Sequence, residues 1–481
     1  MSTIAKKKNT SYYIHSAITI AIMFLFPLLP NIGSITDVGM HLLGITIGML
    51  YGWIFVELAW PSVFGMLMIG STGFTTISGA FTSGFGNSTI VTGFMFFAFA
   101  MMLDQMKVTD FVANKMLSQK FIIGRPWVLV TMILAIAYVI GALADTIPGT
   151  FITWSIALAI TDKSGYSRDD KLVAFLLCGI VFSATLGGML LPFKITSIAF
   201  CGFLTAATGL TIDAAKFIIF MGVTTILVLA LLLVLAKLVI KLDVSKLETS
   251  EESLKVYDVP GTTLQKAGFA LLGIFIIMLL IPSFMPKTIP AVAMLKNWGT
   301  IGCLAVVILI PAILRDENGN AIVSISTMMK GTGWDIIWLL IATVVAASGL
   351  SSADTGIMTT VSQFVMPLIH EMSPTVLMII ASLIVCIITQ FIHNFIVGAM
   401  FIPFVIPICI SAGGNPILCF FFLYWGLMLA FATPAASMTS AFMHGHENVT
   451  PKDAYGYGIL YMVIGLLITF AVGIPLGSIL F

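Results

Sequence analysis

From residue 214 to residue 240 the chain is almost continuously apolar. A helix needs about 20 such residues to cross a lipid bilayer. Runs of similar character recur near 15–31, 38–56, 58–72, 88–105, 171–186, 267–283, 298–314, 334–350, 416–432 and 453–480, giving about eleven crossings. Inside a bilayer each backbone N–H and C=O must find its partner within the protein, and long unbroken apolar runs do so as helices. Charged residues make up 9% of the chain, against roughly 25% in soluble domains. The expected class is an all-α polytopic membrane protein. Its longest polar stretch, 241–266, is too short to bury a core of its own, and no GxxxxGK[ST] loop is present. ATP-driven pumping by this chain alone is therefore excluded. The net charge of +1 points to no nucleic-acid partner. Lys6-Lys7-Lys8 precedes an apolar run without a small-residue cleavage site, so no cleavable signal peptide is expected. The six cysteines lie inside apolar runs without metal-ligand or redox spacing and read as packing residues.

Function is expected where the apolar pattern breaks. Thr389-Gln390-Phe391-Ile392-His393-Asn394-Phe395-Ile396-Val397-Gly398 separates two apolar runs, 376–388 and 399–410, each too short to span alone. The pattern predicts a re-entrant hairpin over 374–411 with a polar tip at membrane depth. A second hairpin is predicted over 126–160, its arms parted by Ala144-Asp145-Thr146-Ile147-Pro148-Gly149-Thr150. Two spans are also interrupted, one from Gly187-Gly188 through Pro192 to Lys194, the other at Thr433-Pro434-Ala435-Ala436-Ser437. Backbone that leaves helical geometry at this depth is tolerated where it lines a cavity, and half-helix ends there offer free groups to substrates and ions.

These features occur twice. Ala144-Asp145-Thr146 corresponds to His393-Asn394-Phe395 at an offset of 249 residues (393 − 144), and Ile195-Thr196-Ser197 to Met438-Thr439-Ser440 at 243 (438 − 195). The expected organisation is one repeat over 1–240, a cytoplasmic linker over 241–266 and a second repeat over 267–481. Lys107, Lys115, Lys120, Arg125, Lys163, Arg168 and Lys171 flank the first hairpin, whereas 351–373 and 411–416 contain no Lys or Arg. By the positive-inside rule the first hairpin opens from the cytoplasm and the second from outside. The repeats are then inverted and the hairpins opposed, with the N-terminus inside and the C-terminus outside. The segments 107–120 and 352–372 are expected to lie along the membrane surface.

The layout resembles the divalent anion/sodium symporters, the dicarboxylate, citrate and sulfate carriers of the ion-transporter superfamily. His393-Asn394-Phe395 followed by Pro403 is similar to the second of that family's two Ser-Asn-Thr tips. Thr389 matches a sodium-site position, Gly187-Gly188 with Pro192 a Gly-Gly segment, and residues 432–441 its late Pro-rich break. The departures are Ala144-Asp145-Thr146 at the first tip, His393 and Phe395 at the second, and Lys194 where the family tends to have Gly. The resemblance implies a secondary active transporter of small anions (di- or tricarboxylates, or sulfate) driven by sodium or protons. It further implies elevator-type alternating access, a homodimer and no cofactor beyond the coupling ion. The expected location is a bacterial inner or cell membrane.

Candidate substrate residues are Asp145, Thr146, Lys194, Thr196, Ser197, His393, Asn394, Phe395, Thr439 and Ser440, and candidate cation residues are Asp145, Gly187, Gly188, Thr389, Asn394 and Thr433. Sodium is expected at Thr389 and Asn394. Asp145 either caps the half-helix that follows it or handles an ion or proton, since a bare carboxylate at membrane depth costs on the order of 3 kcal/mol. Lys194 pairs with Asp145, meets the anion, or snorkels to an interface. His393 is a hydrogen-bonded core residue or a proton carrier. The rival readings are an anion exchanger without cation coupling, an ion channel, and an intramembrane hydrolase built on Asp145 and His393.

Overall fold

The computed structural model describes residues 10–247, 259–286, 288–315, 319–369 and 372–481. Part of the 241–266 linker and the Lys6-Lys7-Lys8 cluster lie outside these. Among the described residues the chain is helical, with one isolated β-bridge between Arg315 and Ala321. The first half consists of α1 (Thr10–Leu25), α2 (Asp37–Phe55), α3 (Ala59–Ile69), α4 (Ile77–Phe85), α5 (Ser88–Gln105), α6 (Val108–Leu117), α7 (Pro126–Leu143), α8 (Thr146–Lys163), α9 (Lys171–Leu190), α10 (Ile195–Thr208) and α11 (Ala214–Leu238). The second half opens with α12 (Thr263–Phe284), α13 (Pro290–Ile313), α14 (Ile325–Met329), α15 (Trp334–Ser351) and α16 (Ile357–Ile369). It continues with α17 (Pro374–Ile388), α18 (Asn394–Ser411), α19 (Pro416–Met428), α20 (Met438–Gly445), α21 (Pro451–Ile468) and, after a π-helical turn, α22 (Ile474–Leu480).

Eleven helices among the described residues are long and apolar enough to cross a membrane. The number agrees with the sequence reading, but the membership differs. Segments 58–72 and 416–432 shrink to α3 and α19, of 11 and 13 residues. Their places are taken by α7 and α18, each of 18 residues. Helix α7 has the bounds of its expected arm, whereas α8 and α18 are longer than the apolar runs 151–160 and 399–410 suggested. In α8 the polar and small residues Thr146 to Thr150 are already helical because Asp145 caps them. In α18 the helix starts at Asn394, capped by His393, and runs through Pro403 and Pro407. The span expected at 298–314 begins earlier, at Pro290, and bends at Gly299, whose φ of 57° and ψ of −165° take it out of helical geometry.

The helices sort into two groups by packing. In one, α7 and α8 lie against each other and against α9, while α17 and α18 do the same with α19. Helix α9 is the axis of this group, with every residue from Leu172 to Met189 buried. Small residues permit its closest crossing. A Cβ added to Gly187 would stand 1.9 Å from the Tyr138 carbonyl oxygen, and one added to Gly141 2.1 Å from that of Ala184. The second group joins α1 to α2, α2 to α3, α3 and α4 to α15, and α12 and α5 to α13. Helix α10 connects the two, packing on α18 in the first group and on α5 and α15 in the second. The segment expected on the membrane surface at 107–120 forms α6, which buries Val108, Val112, Ala113 and Leu117 and packs on α7 and α12.

Candidate functional site

Four interruptions bring half-helix ends into the first group: residues 144–145 between α7 and α8, 191–194 between α9 and α10, 389–393 between α17 and α18, and 429–437 between α19 and α20. Each is built by a helix stop followed by a side-chain cap or an extended N-cap residue. Asp145 accepts the Thr146 N–H at 2.6 Å as N-cap of α8. A carboxylate at this position satisfies one of the N–H groups that a helix start leaves free and complements the positive end of the dipole. His393 takes the same role for α18, its Nδ1 accepting the Phe395 N–H at 3.4 Å. A ring nitrogen that accepts carries no proton, so the neutral imidazole holds its hydrogen on Nε2. The ring lies nearly parallel to Phe395, with centroids 5.7 Å apart.

Interruptions in one half are stitched together locally. In the first, the Lys194 ammonium donates to the carbonyl oxygen of Ala144, the residue that ends α7. Lys194 is 5% exposed, which rules out snorkelling to an interface. Among the described residues it forms no ion pair with Asp145. In the second half the stitch is Gln390. Its Nε2 donates to the Cys386 and Leu429 carbonyls at 2.6 and 2.8 Å, and its Oε1 accepts the Ala432 N–H at 2.9 Å. Thr433 Oγ1 donates to the Gln390 carbonyl. The tip of the second hairpin and the second break are therefore one hydrogen-bonded unit.

The remaining candidates divide by what their oxygens already do. Ser440 Oγ donates to the Thr433 carbonyl at 2.7 Å, and Thr439 Oγ1 lies 3.2 Å from the Oγ of Ser437, the N-cap of α20. Ser197 Oγ sits 2.9 Å from the Tyr424 hydroxyl. Thr196 is half-buried on the first turn of α10. Gly187 and Gly188 belong to α9 itself, since the break starts after Leu190; Gly187 serves the crossing with α7, and Gly188 leaves room for Thr146 Oγ1. Thr389 is fully buried and reaches the Leu427 carbonyl with a long bond of 3.4 Å. Asn394 is different. It is 8% exposed, and its Nδ2 has a weak contact to Met428 Sδ at 3.6 Å while its Oδ1 is buried with no partner. A buried amide oxygen without a donor costs on the order of 1–3 kcal/mol, and a cation is one group that repays it. Gln390, Ser437 and Tyr424 escaped the candidate set. Gln390 stood in the polar stretch, but its partners some forty residues downstream left no mark near it.

The two halves meet through aromatic side chains. Phe200 of α10 lies 5.7 Å from Phe395 and 5.5 Å from Tyr424 between ring centroids, and Phe151 of α8 lies 5.0 Å from Phe442 of α20. Beside the first break is a cavity of about 190 Å³ lined by Pro192, Phe193, Cys201, Thr205 and, from α5, Ser88 and Thr89.

A family model described as citrate transporter, CitMHS, matches residues 42–318. The chain belongs to the citrate transporter family. This bears out the resemblance to the anion carriers of the ion-transporter superfamily. Two solved transporters share the fold. The YdaH transporter of Alcanivorax borkumensis is 14% identical, with 85% of this chain and 89% of that chain covered and a TM-score of 0.58. MtrF of Neisseria gonorrhoeae, whose structure illuminates a class of antimetabolite efflux pumps, is 13% identical with 94% and 96% covered and a TM-score of 0.59. No curated protein matches the sequence. The chain is an integral membrane transporter and not an enzyme, which sets aside the hydrolase reading.

Proposed function

We propose that this protein is a cation-coupled secondary carrier of small carboxylate anions, di- or tricarboxylates such as citrate, which bind where the two hairpin tips and the two breaks converge. The unpartnered, buried Oδ1 of Asn394 carries this reading. Thr389 stands at the end of α17, where the dipole favours a cation, and Asn394, the first residue of α18, adds a neutral oxygen from the other side of the break. The adjoining start of α18 is capped by a neutral histidine and so keeps its attraction for an anion. Cation and anion then occupy opposite poles of one helix interruption, and each favours the binding of the other. Ser437, Thr439 and Ser440 supply hydroxyls beside it.

In this reading the chain comprises two inverted repeats with opposed re-entrant hairpins. The α7–α11 and α17–α21 group moves as a body against the other helices, which hold the homodimer together. Sodium suits the neutral oxygens of Thr389 and Asn394; Asp145 is the alternative seat of a coupling proton.

Uptake of citrate by proteoliposomes, with and without an inward sodium gradient, tests the proposal. Wild-type protein should accumulate citrate with the gradient, and Asn394→Ala should lower the rate at least tenfold with its melting temperature retained. Near-normal uptake by Asn394→Ala removes the site assignment. Saturable counterflow that ignores sodium and pH points to an exchanger, and non-saturable flux to a channel.

A further inference from the structure

The two hairpins treat their helix ends differently. At the end of α7 the Ala144 carbonyl receives the ammonium of Lys194. That ammonium has the Phe96 ring of α5 on another side, 5.4 Å from the ring centroid. Phe96 is itself held by Phe193 at 5.7 Å, and Phe193 by Phe275 at 4.7 Å, so an aromatic wall backs the charge. Asp145 forms no ion pair with it among the described residues; its carboxylate caps α8 through the Thr146 N–H and attracts the ammonium from farther away. In the second half the residue that starts the helix after the break, and so takes the place of Lys194 before α10, is Ser437 before α20. Ser437 is neutral, and there the buried Asn394 oxygen is left without a partner.

The end of a half-helix at membrane depth presents carbonyl oxygens and the negative pole of the dipole, which together attract a cation. A buried ammonium is itself expensive unless such groups surround it, and a carbonyl, a dipole end and the face of an aromatic ring meet that need. We infer that Lys194 is a resident cation: its tethered ammonium fills the cation-binding end of the first hairpin, and exchangeable cation binding is confined to the second tip. A tethered charge travels out and back with the carrier, so it contributes no driving force over a full cycle. Transport then couples to a single sodium ion per chain. The inference rests on the reading of Thr389 and Asn394 as a cation site, and it adds that no second exchangeable site exists while Lys194 is present.

Equilibrium binding of radiolabelled sodium to the purified, detergent-solubilised protein tests it, with thermal melts as a check on folding. Wild-type protein should bind one sodium ion per chain, and Asn394→Ala should bind none. Lys194→Met keeps the apolar stem without the charge and should bind two, Lys194→Gln likewise, whereas Lys194→Arg should stay at one. A wild-type stoichiometry of two overturns the inference whatever the variants do. So does folded Lys194→Met or Lys194→Gln that binds no more sodium than wild type. If wild type binds none and Lys194→Met binds one, the role of Lys194 stands and the cation site at the second tip falls.

Discussion

Asp145 and His393 each accept a backbone N–H at the start of a half-helix, at the two tips proposed to bind ligand. A cap fixes where a helix begins, and substrate binding needs that start in one place, so the two roles support each other. A second histidine shows the same economy outside the spans. His446 follows α20, sets its ring edge-on to Trp154 at 4.7 Å, and accepts the Asn448 N–H at 3.2 Å through Nδ1. Nearby, Arg168 bridges Glu447 at 3.1 Å and Asp162 at 3.4 Å, tying the loop after α8 to the loop after α20. Burial holds the His446 imidazole below its ordinary value of 6.5, Glu447 works against this, and Arg168 adds to it. The folded state therefore favours neutral His446. Its contribution to stability is complete above the unfolded value and is lost as pH falls through the range below 6.5. Melting temperature should drop from about pH 7 to about pH 5 more steeply in wild type than in His446→Gln. Parallel curves would show that protonating this ring costs the fold nothing.

Among elements, α9 carries the strictest requirement, because two hairpin arms and α21 all pack on it. Its crossing with α7 works only with a hydrogen at position 187, since a Cβ there would meet the Tyr138 carbonyl at 1.9 Å, an oxygen that cannot swing away. Gly187→Ala should lower stability by about 1–3 kcal/mol, as overpacking does, while Gly445→Ala, where an added Cβ meets nothing within 4 Å, should not. Thermal melts of the two variants in one detergent make the comparison. A Gly187→Ala protein that melts with wild type would place the crossing wider than the structure has it. Sequence periodicity marked the interruptions well, because Pro192, Pro434, Asp145 and the 389–394 stretch are polar or helix-breaking where apolar helix is otherwise continuous. It misjudged arm lengths, since Thr146 to Thr150 looks like a loop until Asp145 is seen to cap it. It also placed the start of the first break too early, at Gly187 where α9 runs on to Leu190, because glycine reads as a breaker and its use in close packing depends on a neighbour far away in the chain. The candidate site was legible as a set of interruptions. The Gln390 stitch was not, because its partners Leu429 and Ala432 lie in the second break, 39 and 42 residues downstream.

For the molecule as a whole, the distribution of charge carries information that packing does not. Seven basic residues, from Lys107 to Lys171, surround the first hairpin, and none flanks the second in 351–373 or 411–416. Each Lys or Arg resists transfer across the bilayer, so the proposed arrangement keeps the connections that hold them in the cytoplasm. In that proposal the ends of α8 and α18 lie on opposite faces, although both helices follow an interruption and both are 18 residues long. Positions for a probe follow from the local backbone. Ser164 ends α8 and is half-buried, and Ser411 is exposed at the end of α18; Gly413, with φ of 78°, would strain any replacement. Of the native cysteines, five are buried and Cys201 is half-buried, so Cys201→Ser gives a quiet background. In intact cells, Ser411→Cys should react with a membrane-impermeant maleimide and Ser164→Cys should not. After permeabilisation, Ser164→Cys should react as well. Two hairpins opening to one side would leave cation and anion sites facing a single compartment throughout, so reaction of both residues from outside would sink the inverted arrangement and, with it, alternating access through these two tips.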